Sequence, residues 1–174
     1  NVPSDFNIFP GSELNILFTP TQSKIEFNLK EAFIMSTVRD MQTGRGVRLF
    51  TSQQGNYAIP CEAKEATMNF DAKDSMEIQL VEGSKTILGF ACKKAIITTP
   101  VASTVYWYSE EFKVDFSGQK ILIDKLPGFP MEFTTISDQM ELTFTLQNVS
   151  RDILSPLEFS TVVPEGYTET SSGF

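Results

Sequence analysis

Histidine is absent from this 174-residue chain. With it go the usual general base near neutral pH, the usual partner of a serine or cysteine nucleophile, and the commonest zinc ligand. Cysteine occurs only twice, too seldom for a disulfide scaffold. Cys61 and Cys92 each border an expected strand, are expected on neighbouring strands or at their ends, and are either one bridge or two free thiols; a bridge would close a loop of about 30 residues and stabilise the fold by roughly 3–4 kcal/mol in the chain-entropy account. Positive charge is also scarce. The 14 Lys and Arg stand against 22 Asp and Glu, a net charge of −8, which repels phosphate backbones and anionic membrane surfaces and argues against nucleic acid as a partner. No apolar run approaches the roughly 18–20 residues that span a bilayer, so no transmembrane segment is expected.

Catalytic signatures are missing as well. The chain has no G-x-S-x-G elbow, Walker loop or G-x-G-x-x-G, and Gly44-Arg45-Gly46 reads as a tight turn. Two carboxylate pairs, Asp71 with Asp74 and Glu110 with Glu111, are of the kind that serves glycoside hydrolysis or calcium binding. Neither has the D-x-[DN]-x-[DN]-G pattern or an apolar surround, and both read as solvated loop charge. The expectation is a protein that is not an enzyme, with no catalytic residue, no metal and no cofactor.

What is present is β patterning. Fifteen Phe favour half-buried strand positions. Met140, Leu142, Phe144 and Leu146 alternate with Glu141, Thr143, Thr145 and Gln147; Ile25, Phe27 and Leu29 alternate with charged and polar residues, and Met131 and Phe133 with Glu132 and Thr134. These read as strands of a sheet that is wet on one side, with all nine apolar side chains on one face. Further strands are expected at Leu14–Phe18, Phe33–Arg39, Val47–Thr51, Asn56–Ile59, Glu77–Val81, Phe90–Thr99, Val105–Ser109, Lys120–Ile123 and Leu157–Val163. Turns are expected at Gly44-Arg45-Gly46, Gln54-Gly55-Asn56, Glu82-Gly83-Ser84, Ser117-Gly118 and Pro127-Gly128. Only Cys61–Asp74 resists a strand reading, and it is a short helix or a charged loop. The spacing predicts one mainly β domain over 1–174, a meander or barrel, with 1–12 and 168–174 irregular.

Four local features carry interest. Tyr106 and Tyr108 share one strand face and Trp107 takes the other; such aromatics line the mouths of ligand cavities and also cap ordinary cores. Leu126-Pro127-Gly128-Phe129-Pro130 reads as a rigid turn, fixed by its prolines and freed at its glycine. Gly89 marks a bulge or a close backbone approach. Asn148-Val149-Ser150 matches a glycosylation acceptor.

The segment Lys85 to Ala95 (KTILGFACKKA), followed by Val105 to Glu111 (VYWYSEE), resembles the core of an uncharacterised family of exported Bacteroidetes proteins. Leu126 to Glu132 (LPGFPME) and Pro164-Glu165-Gly166-Tyr167 resemble its later motifs. Phe90 stands where that family has Tyr, and Lys125 where it often has Gly. The group is similar to the GLPGLI proteins and more distantly to LolA/LppX-like lipoprotein carriers. The resemblance implies a strongly curved antiparallel sheet, an unclosed barrel with at most short helices, holding lipid or acyl chains without covalent chemistry.

The chain begins at Asn1 without an initiator Met, as it would after removal of a leader. The resulting expectation is a periplasmic, outer-membrane or cell-surface module that binds a hydrophobic ligand, such as a lipid or lipoprotein acyl chain, in the concave face of the sheet. Tyr106, Trp107, Tyr108 and Phe129 are its candidate ligand contacts. The alternative is an envelope module that contacts another protein and has no ligand cavity.

Overall fold

The computed structural model describes residues 11–30, 32–66, 77–100, 102–112, 126–136 and 141–171. Among them the strands are β1 (Glu13–Phe18), β2 (Gln22–Asn28), β3 (Phe33–Asp40), β4 (Arg45–Ser52), β5 (Gly55–Glu62), β6 (Glu77–Ile87), β7 (Phe90–Thr98), β8 (Ser103–Ser109), β9 (Phe129–Ile136), β10 (Glu141–Thr145) and β11 (Thr168–Glu169). The architecture is mainly β, curved and antiparallel, and closes into no barrel. It is distributed over two sheets, β1-β2-β3-β4-β5-β11 and β10-β9-β8-β7-β6, which belong to two compact units. The expected strand at Lys120–Ile123, the turn at Ser117-Gly118 and the strand position of Met140 lie outside the described residues. No described helix is long and apolar enough to cross a membrane.

In the first unit, β1 to β5 form an antiparallel meander. Polar side chains tie its turns. Thr19 Oγ1 accepts from the Gln22 N–H at 3.0 Å, and Asp40 Oδ1 accepts from the Gln42 and Thr43 N–H groups at 2.9 and 3.2 Å, an Asx-type arrangement that leads into Gly44 at φ 70°.

The centre of this sheet is dry on both sides, against the expectation of one wet face. Five successive β3 residues, from Ser36 to Asp40, are buried. On one face Val38, Val47 and Ala58 pack around Phe159, joined by Leu154, Val163 and Tyr167 from the C-terminal segment. On the other, residues 63–66 fold back over Arg39 and Arg48. Arg39 Nε donates to the Ala63 carbonyl at 3.1 Å, and Arg48 donates to the Glu65 carbonyl. Gly46 makes this approach possible, since a Cβ there would stand 2.6 Å from that of Ala66.

Three sequence expectations are corrected here. The start of Cys61–Asp74 is the end of β5 and a turn at 63–65, closed by the Ala66 N–H on the Glu62 carbonyl at 3.1 Å; residues 67–74 lie outside the described residues. Leu157–Val163 is no strand. Ser155 Oγ accepts from the Leu157 N–H at 3.3 Å, and Pro156 pre-sets the φ of a 3₁₀ turn, Pro156–Phe159. Thr168 and Glu169, expected to be irregular, pair in parallel with β5.

In the second unit, β6 to β10 form another antiparallel meander. Leu88 and Gly89, at φ 51° and 82°, make the two-residue loop between β6 and β7, the pattern of a type I′ turn. Gly89 is thus a turn residue, not a bulge. Conversely, Glu82-Gly83-Ser84 does not end its strand: β6 runs through it, with a register shift between Val81 and Ser84.

Nor do the nine alternating apolar residues share one face. Ile25 and Phe27 belong to the first sheet, and Met131, Phe133, Leu142 and Phe144 to the second. Trp107 faces Glu132 and Tyr108 faces Pro130, so Met131 is the extra residue of a β-bulge. Phe133 pairs directly with Phe144 and their rings stack at 5.1 Å. Met131 and Leu146 instead join a cluster around Ile87 and Cys92.

Candidate ligand-binding face

Lys94 and Trp107 are direct cross-strand partners in β7 and β8, so their side chains share a face. Phe90 and Cys92 precede Lys94 at two-residue steps along β7, which places them on the same face by the pleat. At its lower end this face holds a small buried centre of Ile87, Cys92 and Met131. Phe90, Trp107, Phe112, Phe129 and Leu146 pack around it without being fully covered. Phe112 meets Phe90 edge-on at 5.4 Å and Phe129 at 4.8 Å. The Lys85 and Lys94 ammonium groups each lie 5.7 Å from the centre of the Trp107 ring. Gly83, in the β6 bulge, leaves room for the ring edge: a Cβ there would come within 3.1 Å of Trp107 Cη2.

Of the four expected ligand contacts, the structure brings Trp107 and Phe129 into this one cluster. Tyr106 lies elsewhere. Its ring stacks on Phe133 at 5.8 Å, in a row that continues to Phe144, and burial pushes its phenol up to about 12. Tyr108 is buried, 2% exposed. Sequence reasoning missed Phe90 and Phe112, which arrive from β7 and from the stretch after β8, and it missed the two lysines. The signal for the lysines was the β7 pattern itself, because Lys94 sits in phase with Phe90 and Cys92.

Cys61 is on β5 and Cys92 on β7, in different sheets, and both are free thiols. The expectation of neighbouring strands fails because the chain leaves the first sheet after Glu62 and enters the second at Glu77. Burial pushes both thiols up, which keeps them protonated and poorly nucleophilic at neutral pH. Glu110 is held by Lys93 at 3.0 Å, and Glu111 accepts from the Ala91 N–H at 3.4 Å. Asp71 and Asp74 lie outside the described residues. Among the described residues no group of three or more His, Cys, Asp or Glu could hold a metal ion.

A cleft of about 400 Å³ in the first unit is lined by Ala32, Phe33, Phe50, Ser52, Gln53 and Gln54. Half of that lining is amide or hydroxyl, a poor match to a purely apolar ligand.

No family model matches the chain, and no curated protein matches it, so the resemblance to exported Bacteroidetes proteins rests on the quoted residues. Among solved structures, two crystal forms of PNGF-II are similar over 91% of this chain, with 11% identity and a TM-score of 0.41 in one and 10% and 0.47 in the other. The chain spans 27% of the length of those proteins. At this level of similarity nothing of their activity passes to it.

Proposed function

We propose that this chain is a non-catalytic, exported binding module. Its ligand is hydrophobic, a lipid or a lipoprotein acyl chain, taken on the face of the second sheet that carries Phe90, Trp107, Phe112 and Phe129. The observation that carries the reading is the incomplete burial of these four rings around one small centre. Rings left partly wet expose apolar area that a ligand can cover, and a concentration of them marks a binding surface more often than chance exposure does. The resemblance to lipoprotein carriers points the same way.

Native mass spectrometry of protein purified from its own cells tests this. A co-purifying lipid mass is expected, and it should be lost in a Trp107→Ala, Phe129→Ala double variant. Absence of any adduct, together with no binding of alkyl probes, would sink the proposal.

A second reading, contact with another envelope protein, has one observation in its favour. β6 is 11 residues long, forms the edge of its sheet, and exposes Leu80 at 61%. An unpaired edge can accept a foreign strand, although the bulge and the charges along β6 oppose this. Loss of a partner in pull-downs with Leu80→Lys, with lipid content unchanged, would favour this alternative.

A further inference from the structure

The proposed ligand face carries a cation that has no anion. The chain holds 22 acidic residues against 14 basic ones, and its described lysines are otherwise paired. Lys24 meets Glu158 at 3.2 Å, Lys30 meets Glu13 at 3.2 Å and Lys64 meets Glu62 at 2.7 Å. Lys85 meets Glu132 at 2.6 Å and Lys93 meets Glu110 at 3.0 Å. Among the described lysines only Lys94 lacks a carboxylate within ion-pair reach. It is also half-buried, with its ammonium above the Trp107 ring.

This placement is selective. Lys93, the next residue, points to the opposite face by the pleat and is neutralised by Glu110. Lys85 reaches the same ring as Lys94, but both oxygens of Glu132 hold it, at 2.6 and 2.7 Å. The one uncompensated ammonium among the described lysines therefore stands at the end of the aromatic group, where partial desolvation strengthens its attraction for an incoming anion. From Lys94 back to Phe90 the strand runs about 13 Å, a span suited to an alkyl chain of medium length.

We infer that Lys94 recognises the head of the ligand, and that the ligand class is an amphiphile with one alkyl tail and an anionic head, carboxylate or phosphate. The tail lies along Trp107, Phe90, Phe112 and Phe129, and the head meets the Lys94 ammonium. This rests on the reading of the face as a hydrophobic-ligand site, and it adds the charge of the ligand.

Trp107 is the single tryptophan of the chain, so its emission reports on this face alone. The experiment titrates the whole protein with decanoate, decyl phosphate and decanol, each below its micelle concentration. The wild type should bind at least one of the anions about five- to tenfold more tightly than decanol, a preference that shrinks with added salt. Lys94→Gln should abolish the preference, so that the anions bind no more tightly than decanol. Lys93→Gln, one residue away on the other face, should keep it. A tighter fit for decanoate identifies a fatty acid, and one for decyl phosphate identifies a phospholipid-type head. Equal affinity for all three probes, or a preference that survives Lys94→Gln, overturns the inference and leaves the apolar site standing. No binding by any probe overturns both.

Discussion

The hydroxyls of Tyr167 and Thr51 lie 2.6 Å apart across 116 residues of sequence. This contact fastens the C-terminal segment to β4, and Phe159, 3% exposed, fills the hole between Val38, Val47 and Ala58. Phe159→Ala should destabilise the first unit by about 3–4 kcal/mol, since it removes a buried ring and leaves a cavity. Tyr167→Phe should cost about 1 kcal/mol. Native-state hydrogen exchange checks both: amides of β3 and β4 should exchange faster, and those of β7 and β8 should not.

Gly128 and Leu88 make opposite predictions about turns. A Cβ on Gly128 would overlap the backbone of Ser109, with the carbonyl carbon at 2.7 Å, and that backbone has no flexible end to yield. Gly128→Ala should cost about 2–4 kcal/mol. Leu88 adopts φ 51° while 47% exposed, a conformation that Asn tolerates better. Leu88→Asn should therefore stabilise by about 0.5–1 kcal/mol. Urea midpoints with unchanged m-values decide both signs.

Much of this fold is legible in the sequence. Phe33–Arg39, Phe90–Thr99 and Glu77–Val81 were readable as strands because alternation is a local property, recorded in each segment separately. Which strands share a sheet is not local. Ile25 and Met131 carry the same pattern, and nothing in either segment says that they belong to different sheets. Leu157–Val163 misled because its apolar spacing also fits an extended strap that anchors every few residues, and Pro156 was the overlooked sign. At Gly128 the sequence indicated a special glycine but not its reason, a close approach to Ser109. The candidate face was half visible: Trp107 and Phe129 could be singled out as aromatic, whereas the neighbourhood of Lys94 depends on a partner that only the register supplies.

Tyr106 should respond to alkaline pH. Burial raises its folded pKa to about 12, above the ordinary value of about 10. The sign follows: the stabilisation is fully present below about pH 10 and is lost as pH rises through 12, about 3 kcal/mol in all. The difference in phenolate absorbance between wild type and Tyr106→Phe should titrate at about 12. A difference signal that titrates at about 10 would show that the Tyr106 ring is wetter than the stack with Phe133 implies.

Asp40 should govern the acid side of the first unit. Burial raises its pKa, but hydrogen bonds from Thr43, Gln22 and Gln42 outweigh that and the net direction is down. Its stabilisation is then fully present above about pH 5 and lost as pH falls below about 4 through the depressed folded value. Asp40→Asn should cost about 1 kcal/mol at pH 7 once solvent screening is allowed for. The gap to wild type should narrow at pH 3, as measured by urea denaturation at the two pH values.

The strap that closes the first sheet is made after the whole of the second sheet. Phe159 and Tyr167 follow every strand of the second sheet in the chain, so a ribosome completes β6 to β10 before it releases the residues that cover Val38, Val47 and Ala58. The earlier half of the protein thus waits, with its apolar centre open to water, for the later half to finish, and its closing contacts are among the longest-range in the molecule. Long-range closure of this kind slows folding and prolongs exposure to aggregation. In a nascent chain, the first sheet to begin is the second to be sealed.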